Sequence, residues 1–257
     1  MDYKLLMNVA VLAGEIMLRS GAETYRVEDT MEHFLKTAQT QVAEALVLMT
    51  GIAATIDHPD METITVIRRV HSRGTNMYRI VKVNEISRKY CAGELSLEQT
   101  YNELKAIKGK QYSVCFYNLA TICVPAGFAP LFGGGLKEIV ASAAIGCILA
   151  LILTIGKRLQ IGGFILNVFS AMGIAVSSLI LCSVLSEIHL ETVVISAIMP
   201  LVPGVAITNA IRDTLRGDYL SGGARMLEAF VIATAVALGV GVGMAVVNFL
   251  APGGILL

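Results

Sequence analysis

The sequence predicts a polytopic α-helical membrane protein: a cytosolic α+β domain over residues 1–110, then five transmembrane helices over residues 111–257. Three observations predict it. Charge is unevenly spread, with 14 basic and 14 acidic residues before Tyr112 and 6 of each after it. Beyond that point the chain reads as five apolar segments, 113–131, 139–155, 161–185, 192–211 and 227–250. Each is close to the roughly 17–25 residues that cross a bilayer. Finally, eight basic residues (Lys105, Lys108, Lys110, Lys157, Arg158, Arg212, Arg216 and Arg225) fall on one side of these segments. The other side has Lys137 alone, with Glu187, His189 and Glu191 nearby. Cytoplasmic loops carry the excess of Lys and Arg, so the expected topology is N-terminus inside, C-terminus outside, in the plasma or inner membrane.

Composition narrows the function classes. The net charge is zero and 55% of the 257 residues are hydrophobic, which gives no hint of nucleic acid. No basic n-region and apolar run mark a signal peptide at the start. The five cysteines are scattered without CxxC spacing and read as small hydrophobes, not disulfides or metal ligands. His33, His58 and His71 have no ligand spacing, and no G-x-S-x-G, HExxH or GxxxxGK[ST] occurs. The expectation is therefore no enzyme, no metal, no cofactor and no ATP-driven pumping by this chain alone.

Taken in order, residues 3–19 place Leu5, Leu6, Val9, Leu12, Ala13, Ile16 and Met17 at helical spacing, with Lys4, Asn8 and Glu15 opposite. Its apolar run is too short to span, so an amphipathic helix docked on its own domain is expected, ahead of one lying on the membrane surface. Ser20 and Glu23 have capping-box spacing before a second amphipathic helix. Residues 42–49, 51–57 and 63–70 are strand-like, and the last pair is divided by the turn signal Asp57-His58-Pro59-Asp60. Residues 78–92 predict a helix with Ile80, Val83, Ile86 and Tyr90 on one face, and Ser96 with Gln99 caps a last one. The dense charges at Glu23, Arg26, Glu28 and Asp29, and at Arg68, Arg69, Arg73 and Arg79, read first as solvated faces.

The fourth apolar segment is unusual. Pro200, Pro203 and Gly204 fall in its middle. Each proline lacks an N–H and crowds the carbonyl four residues back, freeing the carbonyls of Ser196 and Met199. In hydrocarbon such groups are tolerated where protein buries them or water reaches them. A half-helix restarting after Gly204 would present the N–H groups of Val205, Ala206 and Ile207 and a positive dipole end to an anion. Broken helices of this kind line substrate sites in secondary transporters; a kink serving only packing is the plain alternative. Thr208, Asn209, Arg212 and Asp213 follow on the same half-helix, toward the cytosolic mouth. Asn118 and Asn167 are intramembrane amides that either glue helices or line a path. Pro125 marks a possible second discontinuity, and Ala235, Gly239 and Gly243 form a small-residue packing face. An odd number of spans would let a second five-span partner complete an inverted repeat.

Three stretches together resemble the threonine/serine exporter (ThrE) family. They are SGAETYRVEDTM (20–31) with TGIAATID (50–57), RGTNMYRIVKVNEISRKYCAGELSLEQ (73–99) and PLVPGVAITNAIRDTLRGDYLSGGARMLEA (200–229). The chain is similar to the split, YjjP-type large subunit, and the resemblance implies a separate small YjjB-type membrane subunit as partner. It implies export of small carboxylate-bearing metabolites, threonine and serine or a succinate-like dicarboxylate. The positions that match its motifs are Gly21, Glu23, Arg26 and Glu28, and Pro200, Pro203, Gly204, Thr208, Asn209, Arg212 and Asp213. An oligomer in the lipid bilayer is expected, since five spans with small-residue faces seldom enclose a path alone. The rival class is a regulatory or scaffold subunit whose cytosolic domain senses a metabolite while a partner forms the pathway.

Overall fold

The structure is a computed structural model that describes residues 2–38, 42–58, 61–71, 73–107, 112–185 and 187–250. Pro59 and Asp60 of the expected turn, and Lys108 and Lys110 of the basic flank, lie outside the described residues. The chain divides into two compact units, Met1–Gln111 with Val205–Leu227, and Tyr112–Gly204 with Glu228–Leu257.

The first unit begins with α1 (Tyr3–Arg19) and α2 (Thr24–Lys36). Leu6, Met7, Val9, Ala10, Ala13 and Met17 of α1 are fully buried, so this amphipathic helix is the centre of a soluble-type core. Three antiparallel strands follow in the order β1-β2-β3: β1 (Val42–Leu48), β2 (Gly51–His58) and β3 (Met61–Arg69). Residues alternate across this sheet, and Val47, Ile52, Ala54 and Ile56 turn inward onto the helices. α3 (Met77–Cys91) and α4 (Leu97–Ala106) complete the α+β core. At α4 the expected capping box is present: Gln99 N–H donates to Ser96 Oγ and Ser96 N–H to Gln99 Oε1.

The expected box at Ser20 and Glu23 is not. Gly21 takes φ +81°, which ends α1, and Ser20 Oγ donates back to the Ile16 carbonyl at 2.6 Å. Glu23 is the N-cap of α2 with its carboxylate turned elsewhere. A Cβ at position 21 would sit 3.0 Å from the Gly74 carbonyl oxygen, so both the conformation and the close approach require glycine.

The second unit is helical: α5 (Val114–Phe128), a 3₁₀ turn (Ala129–Phe132), α6 (Leu136–Arg158), α7 (Gly163–Val184) and α8 (Leu190–Ile198) with a 3₁₀ turn (Met199–Leu201). α9 (Gly204–Leu215) and α10 (Tyr219–Leu250) close the chain. Among the described residues, four helices are long and apolar enough to cross a membrane, or five if the segments Leu190–Leu201 and Gly204–Leu215 count as one span. α5 runs through Pro125 without ending, so the discontinuity there comes four residues later, at Ala129. Gly239 and Gly243 of α10 pack on α7: an added Cβ would meet the Val168 oxygen at 2.3 Å or the Met172 oxygen at 2.9 Å. Small residues at this spacing let two membrane helices touch backbone to backbone.

Candidate functional site

The fourth apolar segment is interrupted between α8 and α9, and its backbone is better satisfied there than the prolines imply. The chain tightens to 3₁₀, so Met199 N–H takes the Ser196 carbonyl and Val202 N–H takes that of Met199. Gly204 N–H then bonds the Val202 carbonyl at 2.9 Å. Bonds from three residues on replace those that Pro200 and Pro203 cannot make. α9 starts immediately afterwards, with Thr208 exposed on it and Pro200 and Pro203 half-buried before it.

All of α9 after Gly204, and α10 as far as Leu227, belong to the first unit, and there they meet the α1–α2 turn. Asp213 is buried, accepting from Thr24 N–H at 3.2 Å and from Thr24 Oγ1 at 2.9 Å. Arg225 of α10 is buried beside it, its Nε 2.8 Å from Asp213 Oδ2, placed as an ion pair off the line of a hydrogen bond. Arg225 Nη2 donates to the Ala22 carbonyl at 2.6 Å, and Asn209 Nδ2 to that of Gly21 at 2.9 Å. Arg212 pairs with buried Glu23, and Arg216 stacks 3.4 Å over the Tyr25 ring. From the other side the loop after β3 clamps the same turn, Gly74 N–H bonding the Arg19 carbonyl and Asn76 N–H that of Ser20. Helix dipole and charge fall together: the Asp213 carboxylate receives the first-turn N–H of α2.

The two motifs singled out separately in the sequence are thus one cluster in part. Gly21, Glu23, Asn209, Arg212 and Asp213 come together. Arg26 is exposed and acts on Glu23 only through its charge. Glu28 points the other way, Oε1 accepting from Val47 N–H at 2.8 Å to tie α2 to β1. Asn118 accepts from Thr154 Oγ1 at 3.1 Å, joining α5 to α6 as helix glue, and Asn167 lies half-buried on α7. Thr24, Tyr25, Arg216 and Arg225 were not among the expected site residues. Arg225 stands just before the apolar segment 227–250 and read as part of the basic flank, which gives no sign of its burial.

Two carboxylates of α2 respond to pH in opposite senses. Burial works against ionisation of Glu23, but hydrogen bonds from Arg212 and Tyr25 and the charges of Arg212 and Arg26 outweigh it, holding its carboxyl below the usual value. Burial pushes the Glu28 carboxyl up, against the Val47 N–H, and the carboxylates of Asp218, Glu32 and Asp213 add to the rise. Glu28 therefore favours the folded state as pH falls through its raised value. The Glu23 contribution is present above the unfolded carboxylate value and is lost only as pH falls through its lowered one. Glu28→Gln keeps an acceptor for Val47 and should leave stability equal or higher at pH 7 while removing the gain on mild acidification. Thermal unfolding in detergent against pH measures this.

Taken together, a soluble-type α+β unit and a set of apolar spanning helices define a multi-pass membrane protein. The chain belongs to the ThrE family, described as "Putative threonine/serine exporter", whose model matches residues 8–247. It is similar to a "Probable threonine/serine exporter" of Mycobacterium tuberculosis, 21% identical over 239 residues. That match covers 91% of this chain and 45% of the relative, so the chain spans about half of the relative's length. No solved structure matches it.

Proposed function

We propose that the chain is a subunit of a secondary exporter that moves small carboxylate-bearing metabolites, with threonine and serine first and a succinate-like dicarboxylate second, out of the cytoplasm. The observation that carries this reading is the family match over residues 8–247. In it the α+β unit is cytosolic, as the basic flank of the spans favours. A second membrane component completes the pathway, as an odd number of spans would allow.

The substrate carboxylate lies on the first-turn N–H groups of α9, where Thr208 is exposed. Asn209 already donates to the Gly21 carbonyl and Arg212 to Glu23. Turning Asn209 Nδ2 or the bonded Arg212 Nη1 to a substrate breaks a bond that holds the α1–α2 turn. Binding is thereby coupled to opening of a latch, a differential interaction of the kind that can shift a two-state equilibrium.

The test is efflux of preloaded labelled threonine, serine and succinate from cells making the chain alone, then with the second component. A Cβ added at Gly204 meets nothing within 4 Å, so a side chain can begin there without displacing a neighbour. Gly204→Leu should cut efflux to background while the protein still reaches the membrane. Unchanged efflux in this variant would exclude the site, and no efflux of any of the three substrates with both components in the membrane would exclude the exporter reading.

A further inference from the structure

Among the described residues, one face of the sheet packs on the helices and the other is exposed or half-buried. On the open face register sets Leu46, Ala53 and Ile67 side by side across the three strands. Leu46 is 58% exposed and Ile67 79%. Val42 and Leu48 extend the apolar row along β1, and the central strand contributes only Gly51, Ala53, Thr55 and Asp57. Small residues between two raised rows make a trough. Three strands about 4.8 Å apart and eight residues long present roughly 350 Å², within the size range of surface patches that serve a partner.

The charges on this face say what covers it. Glu44 stands beside Thr55 and Arg69 beside Gly51, at opposite corners of the same apolar row. Asp57 adds a second carboxylate at the Glu44 end, accepting from Thr63 Oγ1 at 2.7 Å. A face with acid at one end and base at the other does not suit an anionic lipid surface, which would draw a uniformly basic one. It does suit itself. A two-fold axis lying in the sheet plane along the other diagonal places Glu44 of each copy over Arg69 of its mate. The strands then cross near a right angle, one of the two ways in which sheets pack.

We propose that the open face of the β1-β2-β3 sheet is a self-association surface, joining two copies of this chain through Leu46, Ala53 and Ile67 with reciprocal Glu44–Arg69 pairs. The area is below that of a stable soluble dimer. The contact therefore works between copies already held in one membrane, where effective concentration is high.

The experiment places a photo-crosslinking benzoylphenylalanine at Leu46 of the full chain in cell membranes. The expected product is a covalent homodimer, twice the 27.4 kDa chain. Ile67→Glu, at a side chain that packs on little within its own chain, should lower the yield about tenfold. Glu44→Arg and Arg69→Glu should each lower it up to about fivefold, and the two together should restore it. Crosslinks only to lipid or to a different protein, no crosslink at all, or a double reversal no better than the single changes would overturn the proposal.

Discussion

Asp213→Ala should destabilise the first unit by about 3–5 kcal/mol, the cost of leaving one partner of a buried ion pair uncompensated. Asp213 and Arg225 have side-chain exposures of 0% and 7%, so water cannot rescue the guanidinium left behind. Thr24 would lose both bonds that hold the start of α2 to α9. Against a whole-domain stability of about 5–15 kcal/mol, this is enough to expose the turn to protease. Asp213→Asn should recover part of the loss, because an amide can still accept from Thr24 but cannot offset Arg225. Asp213→Ala with Arg225→Met should cost less than the sum of the two single changes, since the paired charges leave together. Chemical unfolding of the four variants in detergent gives the coupling directly; additive losses would mean that the pair is not a unit.

The second large effect is expected at Gly239. Its missing Cβ is what lets α10 lie on α7, with the Val168 oxygen 2.3 Å and the Ala171 Cβ 2.8 Å from the position it would occupy. Carbonyl oxygen on a helix cannot swing aside as a flexible side chain can. Gly239→Leu must therefore part the helices, at or beyond the upper end of the roughly 1–3 kcal/mol usual for overpacking. Gly241, two residues on, has nothing within 4 Å of such an atom, and Gly241→Leu should be harmless. Thermal stability of the two variants in detergent separates packing from a general intolerance of α10 to leucine.

How much of this was legible in the sequence follows from the range of the interactions. The three strands, the Ser96 cap and the apolar segments depend on neighbours a few residues away, and all were readable. The break at Pro200 and Pro203 was readable too, although the 3₁₀ bonds that satisfy Ser196 and Met199 were not, because proline reports a lost donor and not its replacement. At Ser20 and Glu23 a local rule met a stronger distant one. The spacing fits a capping box, but the Glu23 carboxylate goes to Arg212 and Gly21 ends the helix. Thr24 and Asp213 stand 189 residues apart, and nothing in either neighbourhood announces the other. Gly21, Glu23, Asn209, Arg212 and Asp213 were each named from the sequence, while their meeting belongs to tertiary structure alone.

The most direct measurement is of the latch itself. Tyr25 and Arg216, which stack across the same contact and are not placed against the substrate, would be changed to cysteine in a chain whose five native cysteines are replaced by serine. A short, reducible bis-methanethiosulfonate would then bridge them while efflux of labelled threonine and serine is followed. If the α1–α2 turn must part from α9 for substrate to pass, efflux falls to background on bridging and returns on reduction, while either single-cysteine chain is unaffected. Bridged protein that exports at the unbridged rate would contradict the coupling of this cluster to transport.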